Sequence, residues 1–156
     1  LALSLVCVAL AGIVKRDANT AAKRAVGVKG TLLCGKTPAK DVNVRLFRVP
    51  NDKKEDLDQV LDTKITGPGG MFELEGNTDG FPLNETTIDA VVSIYHACDE
   101  DAEKAKKNGY RRVNIHIPQD YVNLGAKAKK LLDIGTINLE IKYPNEKKVK
   151  FEDKKN

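Results

Sequence analysis

Residues 87–118 read TIDAVVSIYHACDEDAEKAKKNGYRRVNIHIP, and this stretch decides the fold. Its first part alternates. Val92, Ile94, His96 and Cys98 fall on one side of an extended chain, with Ser93 and Tyr95 on the other. From Asp99 to Lys107 the alternation stops. Acidic residues come first, basic ones last, and Asn108-Gly109 follows. A capping Asp, charges matched to the helix dipole and a glycine stop predict one short helix. Glu100–Lys104 and Glu103–Lys107 have the spacing of i,i+4 pairs. Val113, Ile115 and Ile117 then alternate with Arg112, Asn114 and His116, and Pro118 closes a second strand.

Working outward, the same period of two recurs. Upstream, Val26, Val28, Leu32 and Cys34 share one parity against Lys29 and Thr31, and Gly35-Lys36-Thr37-Pro38 turns the chain. Val42, Val44 and Leu46 face one way, and Asn43, Arg45 and Phe47 the other. Asn51 to Asp56 is a charged loop, Val60 to Thr66 a weaker strand, and Gly67-Pro68-Gly69-Gly70 a turn. Phe72 and Leu74 alternate with Glu73 and Glu75 before a loop over 76–85. Downstream, Ile137, Leu139 and Ile141 alternate with Thr136, Asn138 and Glu140. After Tyr143-Pro144-Asn145, Val149 and Phe151 alternate with lysines, the pattern of a charge-protected edge strand. Seven to eight short strands with one helix after the fifth predict an all-β antiparallel sandwich.

At 156 residues and 17.1 kDa the chain holds one domain with short extensions. Leu1 to Val14 carries no charge and is too short to span a bilayer. With Ala9-Leu10-Ala11 as a small-x-small cleavage site, residues 1–11 read as the remnant of a signal peptide. A polar linker over 12–25 follows, with dibasic pairs at Lys15-Arg16 and Lys23-Arg24. The domain is expected over 26–142 and a basic tail over 143–156. The expected location is therefore the extracellular space. The net charge of +4 lies at the chain ends rather than on the domain body. There is no Trp and no Arg-rich reading helix, which argues against nucleic acid. No other segment reads as a transmembrane span.

Removing the leader removes Cys7 and leaves Cys34 and Cys98 as an even pair in an oxidising compartment. They are expected to form one disulfide, the alternative being two free buried thiols. Asn84-Glu85-Thr86 is an N-glycosylation sequon in a Gly/Pro-rich loop.

The segments Gly30–Cys34, Val42–Phe47, Gly70–Gly76, Ile94–Cys98, Ile115–Pro118 with Tyr121, and Asp133–Glu140 together resemble the nematode transthyretin-like proteins. The resemblance spans about residues 26–142. It implies secretion, a transthyretin-like sandwich of two sheets, and a helix after the fifth strand. Where family members have assigned roles, these include binding phosphatidylserine on dying cells and bridging it to a receptor.

Three functional classes follow. The first is a hydrolase of the 5-hydroxyisourate type, also within the transthyretin superfamily. It needs a His/Arg cluster and a C-terminal Tyr-Arg-Gly-Ser, whereas this chain ends Phe151-Glu152-Asp153-Lys154-Lys155-Asn156. Ser93 and His96 face opposite sides of one strand and form no nucleophile–base pair. His96 shares the inward parity of Cys98 and reads as a core histidine, and His116 reads as a surface residue. The second class is a carrier of small hydrophobic ligands or hormones, which would need an apolar sheet face. The expected outer face of Lys29, Thr31, Glu73, Glu75, Thr136, Asn138 and Glu140 is polar.

The leading reading is a secreted, non-enzymatic binding module with no cofactor and no metal. Its expected partner is a cell-surface protein or an anionic phospholipid. The candidate surface is the outer face carrying Arg45, Phe47, Tyr95, Arg112, Asn114 and His116, the composition of a binding hot spot. The alternative for that face is Phe47 packed under a loop with the arginines solvated. A second candidate is the basic tail, with Lys147, Lys148, Lys150, Lys154 and Lys155.

Overall fold

The computed structural model describes residues 23–155. The expected signal remnant, and the linker up to residue 22, lie outside the described residues. The strands are β1 (Arg24–Cys34), β2 (Thr37–Pro38), β3 (Asn43–Phe47), β4 (Val60–Ile65) and β5 (Met71–Asn77). They continue as β6 (Val91–His96), β7 (Tyr110–His116), β8 (Asn123–Leu124), β9 (Leu131–Asn138) and β10 (Lys147–Val149). Among the described residues one α-helix, α1 (Ala102–Asn108), lies between β6 and β7.

The strands make two five-stranded sheets. In the first, β1 pairs antiparallel with β5, β2 and β8, and parallel with β9. In the second the order is β10-β7-β6-β3-β4, antiparallel throughout. The inward parities of the longer strands β1, β3, β5 and β6 meet in the middle. Val26, Val28 and Leu32 of β1 and Leu74 of β5 are fully buried with Val44, Leu46, Val92 and Ile94 of the other sheet. Burial of such side chains is worth roughly 1.5–3 kcal/mol each, which is what holds the sheets face to face. Cys34 and Cys98 are joined by a disulfide, with Cα atoms 5.6 Å apart. It staples the end of β1 to the turn after β6, and so one sheet to the other.

Four details differ from the sequence reading. The first strand begins at Arg24 rather than Val26, because Ala25 pairs with both Asn77 and Asn123 and is fully buried. β9 runs parallel to β1, since a loop and β8 carry the chain across before it returns. The two-residue strands β2 and β8 bring the count among the described residues to ten. The helix begins one turn later than its charge pattern implied. Asp101 is its cap, accepting a 2.9 Å hydrogen bond from the Lys104 N–H. Glu100 therefore precedes the helix, and it pairs with Lys148 at 2.5 Å instead of Lys104.

The turn 67–70 needs its last glycine. Gly70 has φ +74°, and an added Cβ would lie 2.2 Å from the Leu32 carbonyl oxygen. That approach is also why the Leu32 N–H can donate to Gly70 O at 2.8 Å.

Candidate functional site

The outer face of the second sheet is built as the parity required. Arg45 opposes Ser93, and Tyr95 opposes Arg112 across neighbouring strands. Ser93 opposes Asn114, and Phe47 and His116 both oppose Val91. The expected exposure of this face is corrected, however. Phe47 is fully buried, Tyr95 is 1% exposed, Arg45 and Arg112 3%, and Asn114 7%. Only His116 of the six is exposed. The cover comes from two segments, the loop through Asn51–Glu55 and the chain after β10.

The cover is held by specific contacts. Asn51 donates to Ser93 Oγ at 2.9 Å, Ser93 donates to Asn114 Oδ1 at 2.7 Å, and Asn114 returns a 2.7 Å bond to Asn51 Oδ1. This closed ring satisfies three polar side chains without solvent and takes the Ser93 hydroxyl out of contact with any substrate. Next to it, Arg112 pairs with Glu55 at 3.1 Å, and Tyr95 donates its hydroxyl to the same carboxylate. Burial, then the hydrogen bond and charge of Glu55, push the Tyr95 phenol well above its usual range. The Arg45 guanidinium sits 3.9 Å from the centre of the Phe151 ring and 5.7 Å from that of Tyr95. It also donates to the Glu152 carbonyl at 2.5 Å. Tyr95 and Phe151 pack edge to face at 5.0 Å. The C-terminal segment is thus a strap, and Phe151 is its anchor.

The basic tail is docked rather than free. Lys147 donates to the Asp52 carbonyl at 2.6 Å, Lys148 pairs with Glu100, and Lys154 pairs with Asp58 at 3.0 Å. Between the 52–57 loop and the strap runs an open cleft of about 410 Å³. Its lining includes Lys53, Lys54, Arg112, Lys147, Lys148 and Lys150 against Asp52, Glu55 and Glu152. Glu55 is already engaged by Arg112 and Tyr95. Lys53, Lys54 and Lys150 are exposed. The structure therefore brings the two sequence candidates together: Arg112 forms part of the floor and the tail lysines one rim. Lys155 is exposed outside this cleft. Lys53, Lys54 and Glu55 were visible in the sequence as a charged loop, but nothing in its pattern said where the loop would fold.

His96 lies on the inward side of β6, 2% exposed. Its Nδ1 accepts the Cys98 N–H at 3.1 Å, and its Nε2 has no partner among the described residues. Burial, aided by the nearby Arg111 charge, lowers its pKa to about 4. Arg111, also buried, makes a two-pronged pair with Glu146 at 2.8 and 2.9 Å and donates to the carbonyls of Cys98 and Ile141. Burial works to raise the Glu146 pKa. Hydrogen bonds from Arg111 and the Tyr143 N–H outweigh it and hold the carboxyl below its ordinary range. Cys34, Cys98 and Asp99 converge as possible metal donors, but both sulfurs are spent in the disulfide. On the first sheet, Lys29, Glu73, Glu75, Thr136 and Glu140 are exposed, giving a polar face. The sequon Asn84 is exposed in a 3-10 turn over Leu83–Glu85.

Two sheets, an intersheet disulfide, a strapped outer face and an electropositive cleft define a disulfide-pinned β-sandwich domain. The chain belongs to the transthyretin-like family, whose model matches residues 29–118. It is 40% identical over 131 residues to transthyretin-like protein 46 of Caenorhabditis elegans, covering 83% of this chain and 68% of that protein. Transthyretin-like protein 33 of the same organism is 36% identical over 123 residues, 79% of each chain. Transthyretin-like protein 5 is 32% identical over 79% of this chain and 81% of its own length. Among solved structures, a 9R-lipoxygenase from Cyanothece aligns with 74% of this chain and 16% of its own, at a TM-score of 0.40 and 16% identity. That likeness is too slight to bear on fold or activity.

Proposed function

We propose that the protein is a secreted, non-enzymatic binding module that engages an anionic phospholipid surface through the cleft between the 52–57 loop and the C-terminal strap. The observation that carries this reading is the convergence of six cationic side chains on one open cleft, with Lys53, Lys54 and Lys150 exposed and without a counter-ion among the described residues. A phosphate or carboxylate headgroup there meets ammonium donors and a positive potential, and gains charge-assisted hydrogen bonds. Each lysine brought to an anionic leaflet contributes on the order of 1 kcal/mol.

The test is co-sedimentation of the disulfide-intact protein with phosphatidylcholine vesicles, with and without phosphatidylserine, at low salt and about 150 mM salt. The expected result is phosphatidylserine-dependent binding that survives physiological salt and falls at least tenfold in the Lys53→Glu/Lys54→Glu/Lys150→Glu variant. Binding that the triple variant leaves unchanged, or that is absent with phosphatidylserine at about 150 mM salt, would overturn the reading.

A further inference from the structure

Asn84-Glu85-Thr86 is the one Asn-x-Ser/Thr triplet in the 156 residues. The lysine cleft makes no use of it, since none of the three residues lines that cleft. The fold places it in the 3-10 turn over Leu83–Glu85, closed by the Glu85 N–H on the Pro82 carbonyl at 2.8 Å. Neighbouring groups hold this turn to the domain. Arg24 donates to the Thr86 carbonyl at 3.0 Å. Arg48, itself buried, donates to the Thr87 carbonyl at 2.8 Å and pairs with Glu85 at 3.8 Å. Asn84 takes no part in this. Its side chain is exposed and makes no hydrogen bond among the described residues.

An acceptor asparagine has two requirements. Its amide must be reachable, and the folded surface must leave room for a bulky oligosaccharide afterwards. Asn84 meets both, because a sugar in place of one amide hydrogen breaks no contact among the described residues. Leu83 beside it is 63% exposed, so a glycan there places hydrophilic bulk next to an exposed apolar side chain. The Thr86 hydroxyl, the other group the triplet needs, donates to the Leu83 carbonyl at 3.2 Å and accepts from Arg24 at 3.4 Å. Transfer to the chain as it enters the secretory compartment precedes those bonds, so they do not compete with it.

We infer that Asn84 carries an N-linked glycan. The donor is a lipid-pyrophosphate-linked oligosaccharide of the secretory pathway. The Asn84 Nδ2 attacks the anomeric carbon of the first N-acetylglucosamine. A C–N bond forms and the C–O bond to pyrophosphate breaks. The lipid pyrophosphate leaves with that electron pair and the amide loses one proton, so nothing is oxidised or reduced. The inference rests on entry into the secretory pathway, which it shares with the proposed function, and it does not rest on the lipid cleft.

The test expresses the full chain behind a secretory leader in mammalian cells and reads its intact mass before and after peptide-N-glycosidase. The native protein should be heavier than its sequence by one N-glycan and lose that mass on treatment. Asn84→Gln should run at its sequence mass, and so should Thr86→Ala. Thr86→Ser, which keeps the hydroxyl, should retain the glycan. A native chain at its sequence mass, or extra mass that survives in Asn84→Gln, would overturn the inference. Asn84 is exposed, so Asn84→Gln leaves the fold intact and decides the outcome where Thr86→Ala fails to accumulate. Protein retained in the cell is read from the microsomal fraction in the same way. Unglycosylated protein that binds phosphatidylserine vesicles sinks the glycan alone. Glycosylated protein that ignores them sinks the lipid reading alone.

Discussion

Mild acid should loosen this fold through one residue. His96 is 2% exposed, and its pKa falls from the ordinary 6.5 to about 4 on folding. Burial is the main cause, with Arg111 opposing a second positive charge. Glu146, Glu100 and Lys148 also act on the ring, the two carboxylates favouring protonation and the lysine opposing it. A histidine with a lowered folded pKa binds fewer protons folded than unfolded, so acid favours the unfolded chain. Its contribution to stability is complete above about pH 6.5 and is lost as pH falls toward about 4. From about pH 7 to about pH 5 the linkage relation gives a loss of about 2 kcal/mol. The Glu146 carboxyl is held below its ordinary range by the Arg111 and Tyr143 hydrogen bonds. Urea melts at about pH 7, 6 and 5, at constant ionic strength, measure the loss in the native protein and in His96→Gln. His116 is present in both and cancels. The native protein should lose about 2 kcal/mol over the window and the variant only a few tenths. An equal loss in both would refute the assignment of the acid sensitivity to His96.

Three further outcomes follow from contacts already described. Replacing both Cys34 and Cys98 by Ser releases a 64-residue separation, and should cost roughly 4 kcal/mol in denaturant melts if the chain-entropy account holds. Phe151→Ala removes the ring beneath the Arg45 guanidinium and beside Tyr95. It should destabilise by about 1–2 kcal/mol, and a loss under about 0.5 kcal/mol would show that the strap is not anchored there. Glu146→Gln leaves the Arg111 charge buried without its partner and should cost about 3–5 kcal/mol by thermal or urea unfolding. The same substitution made together with Arg111→Met should recover part of that loss.

Much of the architecture was legible because a period of two is a local property. Val92, Ile94 and His96 had to share a face whatever their neighbours, and Phe72 with Leu74 likewise. The short helix was legible from the capping Asp, the charge order and Gly109, all features within one turn of its ends. The grouping of Arg45, Phe47, Tyr95, Arg112, Asn114 and His116 on one face was legible for the same reason. What parity does not encode is whether that face meets water. Arginines and an asparagine look solvated in a sequence. They are buried here because Glu55, the Glu152 carbonyl, the Phe151 ring and the Asn51–Ser93–Asn114 ring supply partners from distant segments.

The alternating residues and the helix signals of the chain by itself determined the longer strands, the presence of the helix and the inward face. The Cys34–Cys98 pairing was an inference from cysteine number and compartment that the fold realises at 5.6 Å between Cα atoms. Only the tertiary structure decided that the tail is a strap and that the 52–57 loop and the tail share one cleft. Each joins residues roughly 40 to 100 positions apart, and such contacts depend on loop closure and mutual packing, which no local pattern records.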